Sequence, residues 1–292
     1  MTEFRARDGA LLHADEHGTA GSPPLVVLPG GPARHPDYLG TLEPISGCRR
    51  ILVLHPRGVG GSAAAPVRSF AEQADDVEDL RQHLGVESVD VLAHATGCRT
   101  ALVHAARHPE RVSRLLLISP ATGWLDLGRD DRHEIAARRI GASWLGDAIE
   151  AAVLMQEETD ARRRIELYRR AAPLGWSTWD ERAQAHERAA TWFPDAFAGF
   201  FTSVDATALR QALTLLRCPV MIVGGEDDAL VGVEPLAELG ALFPSCSLAV
   251  IEGSGHYPWI EAPAEFALAL RAFVSEAPSA PPTGRRRPSS RA

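Results

Sequence analysis

Asp228 and His256 are the residues of this 292-residue chain whose setting best suits proton transfer. Asp228 closes the segment Gly224-Gly225-Glu226-Asp227-Asp228, which follows the apolar run Val220 to Val223. Loops just past the ends of strands are where open α/β sheets gather their ligands and catalytic groups. A carboxylate there can accept from a histidine Nδ1–H, which fixes the tautomer and stabilises the imidazolium formed when the other ring nitrogen takes a proton. Asp228 is assigned that role; Asp227 is the alternative one register away, and Glu226 reads as part of a solvated turn. His256 stands in the glycine-rich loop Glu252-Gly-Ser-Gly-His256, after the apolar run Leu248 to Ile251. Ten other histidines are present, and what singles out His256 is its place after the last apolar run, downstream of the acid.

The nucleophile that such a pair would activate is missing from its place. The run Val89 to Leu92 leads into Ala93-His94-Ala95-Thr96-Gly97-Cys98 and then a helical pattern. Strand, tight turn and helix, with small residues where backbones pass closely, is the form of the G-x-S-x-G elbow. That elbow presents a serine hydroxyl and aims the next residue's N–H at a developing oxyanion. Ala93 and Gly97 occupy its small positions, so Ala95 stands where the serine belongs, and a methyl group can neither attack a carbonyl nor hand over a proton. Thr96 is expected to face the site with its N–H and to turn its side chain away. A second oxyanion donor is expected in Leu28-Pro29-Gly30-Gly31-Pro32, where glycine lets the backbone approach substrate. Gly31 is assigned as the donor and Gly30 as a neighbouring substrate contact.

The elements needed to position these groups recur along the chain. Apolar runs at Leu25–Leu28, Ile51–Leu54, Val89–Leu92, Leu115–Ile118, Val220–Val223 and Leu248–Ile251 predict parallel strands covered on both faces. Helical segments at Ser69 to Leu84 and Gly97 to Arg107 alternate with them, which predicts a doubly wound α/β sheet. Phe4 to His17 reads as a strand pair turned at Asp8-Gly9, and a helix is expected to begin near Pro263. From 121 to 211 no apolar strand appears, and tryptophan and phenylalanine cluster among charged residues. This segment predicts a helical cap whose aromatics pack its own small core and line a substrate pocket. The expected division is a core of residues 1–120 and 212–276, the cap, and a Pro-, Ser- and Arg-rich disordered tail over 277–292.

Composition narrows the partners. A net charge of −8 argues against nucleic acid, and the basic run Arg285-Arg286-Arg287 lies in the tail. Cys48, Cys98, Cys218 and Cys246 show no metal-ligand spacing and read as free thiols of a cytoplasmic protein. No apolar stretch is long enough to span a membrane, and no secretion signal is evident at residues 1–9. No metal or cofactor is expected, and the oligomeric state is not set by the sequence.

With elbow, acid and histidine in this order, the chain resembles the α/β-hydrolase superfamily, and in particular its proline iminopeptidase-like branch, from about Leu25 to Phe273. Pro29-Gly30-Gly31-Pro32-Ala33 looks like the branch's His-Gly-Gly-Pro-Gly with both ends changed. His55-Pro56-Arg57-Gly58-Val59-Gly60-Gly61-Ser62 resembles its Asp-Gln-Arg-Gly-x-Gly-x-Ser. Gly255 through Pro263 matches its Gly-His-x-Pro-x-x-Glu-x-Pro. Trp176-Ser177-Thr178-Trp179-Asp180 resembles its Trp-Ser-x-Trp-Glu, whose Glu binds the substrate's free amine; the branch's second amine-binding Glu has no match. The resemblance implies a mostly parallel sheet with a helical cap, substrate contacts at Trp176, Trp179 and Asp180, and cleavage of small acyl or aminoacyl amides and esters by serine attack.

Ala95 leaves three functions open. The chain is a hydrolase whose serine has been replaced, by engineering or naturally. It is a non-hydrolytic enzyme using Asp228 and His256 for cyclisation, elimination or isomerisation. Or it is a binding protein using the capped pocket.

Overall fold

The computed structural model describes residues 1–18, 24–42, 49–197 and 199–275. Its centre is one eight-stranded sheet: β1 (Thr2–Arg5), β2 (Leu11–His17), β3 (Leu25–Leu28), β4 (Ile51–Leu54), β5 (Val89–His94), β6 (Val112–Ile118), β7 (Val220–Gly225) and β8 (Cys246–Ile251). The strand order is β1-β2-β4-β3-β5-β6-β7-β8. β1 and β2 form an antiparallel hairpin, β2 runs antiparallel to β4, and the strands from β4 through β8 are parallel. The hairpin turns at Gly9, whose φ of +86° suits glycine, while the Asp8 carboxylate accepts from the Ala10 N–H.

Alternation along the strands divides the apolar core between two faces. Val26, Leu28, Val91, Ala93, Leu115, Leu117 and Ile222 face the helices Phe70–His83 and Gly97–Arg107. Leu25, Val27, Leu92, Leu116, Ile118 and Val223 face the other side, with Phe266 and Leu270 of helix Pro263–Ser275. The expectation of strands covered on both faces fails for β8, where Leu248 and Val250 are 40% and 41% exposed. β8 is the edge of the sheet, so one flank and part of one face lack a neighbour. The helix Phe70–His83 starts at Ser69 in a capping box: the Ser69 hydroxyl accepts from Glu72 N–H while the Glu72 carboxylate accepts from Ser69 N–H.

Register brings the working loops together. Leu28 lies opposite Ala93, His94 opposite Ile118, Ile118 opposite Val223, and Gly225 opposite Ile251. The segments after β3, β5, β6, β7 and β8 therefore emerge side by side at one end of the sheet.

Between β6 and β7 the described residues form helices, among them Arg132–Ala137, Leu145–Glu157, Ala161–Ala171 and Glu181–Arg188. An isolated bridge between Arg34 and Trp192 ties this insertion to the loop after β3. The expected boundary at 211 falls inside helix Ala206–Leu213, whose Leu209 and Leu213 are buried in the main core beside the helix Gly97–Arg107. That helix belongs to the core by its packing. The tail over 277–292 lies outside the described residues.

Candidate active site

The elbow is built from a strained residue pinned on both sides. Ala95 follows β5 with φ of +49°, a conformation that costs a residue with a Cβ about 1–2 kcal/mol. Its N–H donates to Ile118 O at 3.0 Å and its carbonyl accepts from Ala121 N–H at 3.3 Å. Thr96 then caps the helix Gly97–Arg107. The small neighbours have a steric reason. A Cβ on Gly97 would lie 2.4 Å from Pro29 O, and one on Gly30 would lie 2.7 Å from the Ala95 Cβ. The loop after β3 is thus laid directly against the elbow.

His256 Nδ1 is 2.7 Å from Asp228 Oδ2, and Asp228 is fully buried with Oδ1 accepting from Leu230 N–H at 2.9 Å. With an acceptor at Nδ1, that nitrogen carries the proton and the Nε2 lone pair is left as the base. Asp227, the alternative register, is instead 26% exposed in its side chain and faces Arg138. The loop carrying His256 is held by the insertion: His256 N–H donates to Gly175 O at 2.6 Å. Glu261 closes the same join, accepting at Oε1 from the Ser177 N–H and hydroxyl and at Oε2 from Gly255 N–H.

On the oxyanion side, Gly31 N–H donates to Thr96 Oγ1 at 2.8 Å. The Thr96 side chain, expected to turn away from the site, instead bonds the loop after β3, and the Gly31 N–H assigned as an oxyanion donor is taken up by its hydroxyl. The Thr96 N–H has no intramolecular acceptor among the described residues and starts the elbow helix, whose positive end favours developing negative charge.

Sequence reasoning missed a buried relay behind these groups. Gly30 N–H donates to Tyr38 Oη at 2.6 Å, and Tyr38 Oη is 2.8 Å from His94 Nδ1. His94 Nε2 is 3.0 Å from the main-chain carbonyl of His256, which can only accept, so the ring proton is on Nε2 and Tyr38 donates to Nδ1. Burial, together with nearby His256, holds His94 well below the usual histidine range and keeps it neutral. His94 was in view as the residue before Ala95; nothing in the spacing of Tyr38 points to it.

Gly31, Ala95, Thr96 and His256 share the wall of one cavity of about 410 Å³. Tyr168, Trp192, Phe197 and Phe201 of the insertion contribute aromatic surface to it, and Arg99, Arg129, Arg132 and Arg164 contribute guanidinium groups. Four residues expected to touch substrate are not among its described lining: Gly30, Trp176, Trp179 and Asp180. Gly30 lies behind the elbow, where it meets Tyr38. Trp176 is 1% exposed, donating from Nε1 to Glu187 and lying tilted against Tyr257. Trp179 packs against the second core face, and Asp180 caps helix Glu181–Arg188 by accepting from Ala183 N–H. The Trp-Ser motif here joins the insertion to the His256 loop through Ser177 and Glu261.

His13, Asp15 and His55 have ligand atoms within 4.8 Å of one another, the spacing of a metal site. The Gly61 N–H donates to His55 Nδ1 at 2.9 Å, which leaves the His55 proton on Nε2, the nitrogen facing Asp15. Metal binding at His55 Nε2 would require displacing that proton, and moving it to Nδ1 would break the bond from Gly61, so the present hydrogen bonds favour a carboxylate shared by two imidazoles.

Sheet order, elbow and acid–histidine pair define an α/β hydrolase, and residues 23–263 match the alpha/beta hydrolase fold family, to which the chain belongs. It is 25% identical to a Caulobacter protein carrying the name of a carbamate hydrolase, over 91% of this chain and 96% of that one. It is 27% identical to the proline iminopeptidase of Xylella fastidiosa, over 85% of this chain and 88% of that one. Among solved structures it superposes on an esterase from a Rhodococcus species with a TM-score of 0.69 at 22% identity, covering 94% and 98% of the two chains. No helix among the described residues is long and apolar enough to cross a membrane.

Proposed function

We propose that the site is that of a cytoplasmic acyl hydrolase for a small ester or amide, in which the covalent step is blocked at Ala95. The observation that carries this reading is the 2.7 Å Asp228–His256 pair sharing a cavity with an elbow that keeps its strained backbone around a methyl group. Residues up to about 205 after β6 act as its cap. A hydroxyl at position 95 would attack the substrate carbonyl and pass its proton to His256 Nε2. Asp228 would hold Nδ1–H and stabilise the resulting imidazolium. Thr96 N–H would donate to the oxyanion, and the Gly31 N–H would join it only by leaving Thr96 Oγ1. The imidazolium would protonate the leaving group, and water activated by the same histidine would release the acid. With alanine the sequence stops at the bound complex.

The test is Ala95→Ser, assayed with 4-nitrophenyl butanoate and amino-acid arylamides beside the chain as it stands. Turnover by the variant alone, abolished by His256→Ala in that background, is the expected result. Ester or amide preference then decides between esterase-like and aminopeptidase-like use of the site. Absence of turnover by every variant, with each shown to be folded, overturns it.

The intact acid–histidine pair favours a second reading, in which His256 moves a proton on a bound substrate without a covalent intermediate. Under that reading the chain as it stands turns over its substrate and loses this activity in His256→Ala. A chain that binds ligand but leaves it unchanged, before and after Ala95→Ser, is a binding protein.

A further inference from the structure

The cavity's charges do not match an aminoacyl substrate. Of its four arginines, Arg132 pairs with Asp130, and Arg129 lies 3.7 Å from Glu238. Arg99 and Arg164 have no carboxylate within 4.0 Å among the described residues. Arg99 is four residues beyond Ala95, one turn along the elbow helix. Its guanidinium carbon sits 5.7, 5.2 and 5.1 Å from the ring centres of Phe70, Trp124 and Phe201, and Arg164 lies 4.8 Å from the same Phe201 ring.

Aromatic contacts account for the planar faces of these groups and leave their in-plane N–H donors unanswered. Arg99 Nε is buried without a hydrogen-bond partner among the described residues. Arg164 donates from Nη1 to the main-chain carbonyl of Glu158 at 2.9 Å. The Glu158 carboxylate acts on Arg164 at longer range while accepting from Thr159 and Asp160 N–H. Burial, reinforced by the charge of Arg164, pulls Arg99 down to about 10. Two half-buried cations sharing one aromatic ring repel each other, and an anion between them would relieve that repulsion while filling open donors.

We infer that Arg99 and Arg164 form an anion subsite of the cavity, so that the compound it accepts is a small ester or amide whose acyl part carries a carboxylate. This rests on the reading of the cavity as an acyl site and specifies its substrate class. It also reverses the expectation of amine recognition, since Asp180 is engaged as a helix cap and the one carboxylate among the cavity's described lining, Asp130, is paired with Arg132.

The test measures binding of monomethyl glutarate and of methyl pentanoate, its uncharged analogue in size, to the chain as it stands by calorimetry at low salt. The half-ester should bind about tenfold more tightly, the scale of one charge-assisted contact. Added salt should narrow the gap. Arg99→Met and Arg164→Met, tested separately with far-ultraviolet circular dichroism as a fold check, should each reduce the ratio between the two ligands. If Arg99→Met does not fold, Arg164→Met and the salt series carry the test. Equal binding of both esters, or a ratio unchanged in a folded arginine variant, overturns the inference. Turnover arms separate the two levels. An Ala95→Ser variant that hydrolyses 4-nitrophenyl butanoate as well as 4-nitrophenyl hydrogen glutarate sinks the anion subsite while the hydrolase reading stands. Failure to bind or turn over either ester sinks both.

Discussion

His94 Nε2 donates to the main-chain oxygen of His256 at 3.0 Å, so the residue before the elbow holds the backbone of the proposed base 162 positions away. The same ring accepts from Tyr38, which in turn accepts from Gly30 N–H. One directed chain of hydrogen bonds therefore joins the loop after β3, the elbow and the His256 loop.

Replacing His94 with phenylalanine keeps a ring but leaves the Tyr38 hydroxyl and the His256 carbonyl without this partner. Each buried group left unpaired costs about 1–3 kcal/mol, so His94→Phe should destabilise the fold by roughly 2–6 kcal/mol. Urea unfolding measures this directly. In the Ala95→Ser background the same change should lower kcat more than it raises KM, because it disturbs alignment rather than binding.

Glu261→Gln tests the join between insertion and His256 loop. Glu261 accepts from three donors, and a glutamine amide must turn an N–H toward at least one of them. A loss of about 1–3 kcal/mol is expected in unfolding experiments. Unchanged stability would mean that the join is carried by the His256 N–H bond to Gly175 alone.

Steric contrast at the elbow gives a third prediction. Gly30→Ala drives a Cβ to 2.7 Å from the Ala95 Cβ and 2.9 Å from the His94 carbonyl, and should cost about 1–3 kcal/mol as overpacking does. Ala95→Gly relieves the positive φ, offsetting the greater freedom that glycine gives the unfolded chain, and should change stability by less than about 1 kcal/mol. Thermal unfolding of the pair decides whether the strain at Ala95 is real.

Acid should weaken the fold through buried histidines. Burial lowers His104 from 6.5 to about 4; its Nδ1–H meets Ala74 O while Nε2 has no partner. Between those values the unfolded chain binds the proton and the folded chain does not, so stability falls as pH drops from about 6.5 toward 4. The loss from this residue is at most roughly 3 kcal/mol. His94 and His186 shift in the same sense, so His104→Leu should reduce, without removing, the slope of unfolding free energy against pH. An identical slope in variant and parent would rule His104 out as a contributor.

Much of this protein could be read from local signals. Short, mostly apolar runs marked every parallel strand. Ser69 with Glu72 marked a helix start, and the succession of elbow, acid and histidine carried Ala95, Asp228 and His256. These features are legible because strand burial, capping and tight turns each demand particular residues at short spacing. What the tertiary structure decided is how the distant pieces meet. Whether Asp180 faced a ligand or capped a helix, whether Thr96 turned its hydroxyl out or toward Gly31, and whether Arg99 found an acid were all undetermined locally. A polar side chain takes whichever partner the packed chain brings within about 3 Å, and that partner is set by the register of strands far apart in sequence. The roles of Tyr38, His94 and the Arg99–Arg164 pair became visible only there.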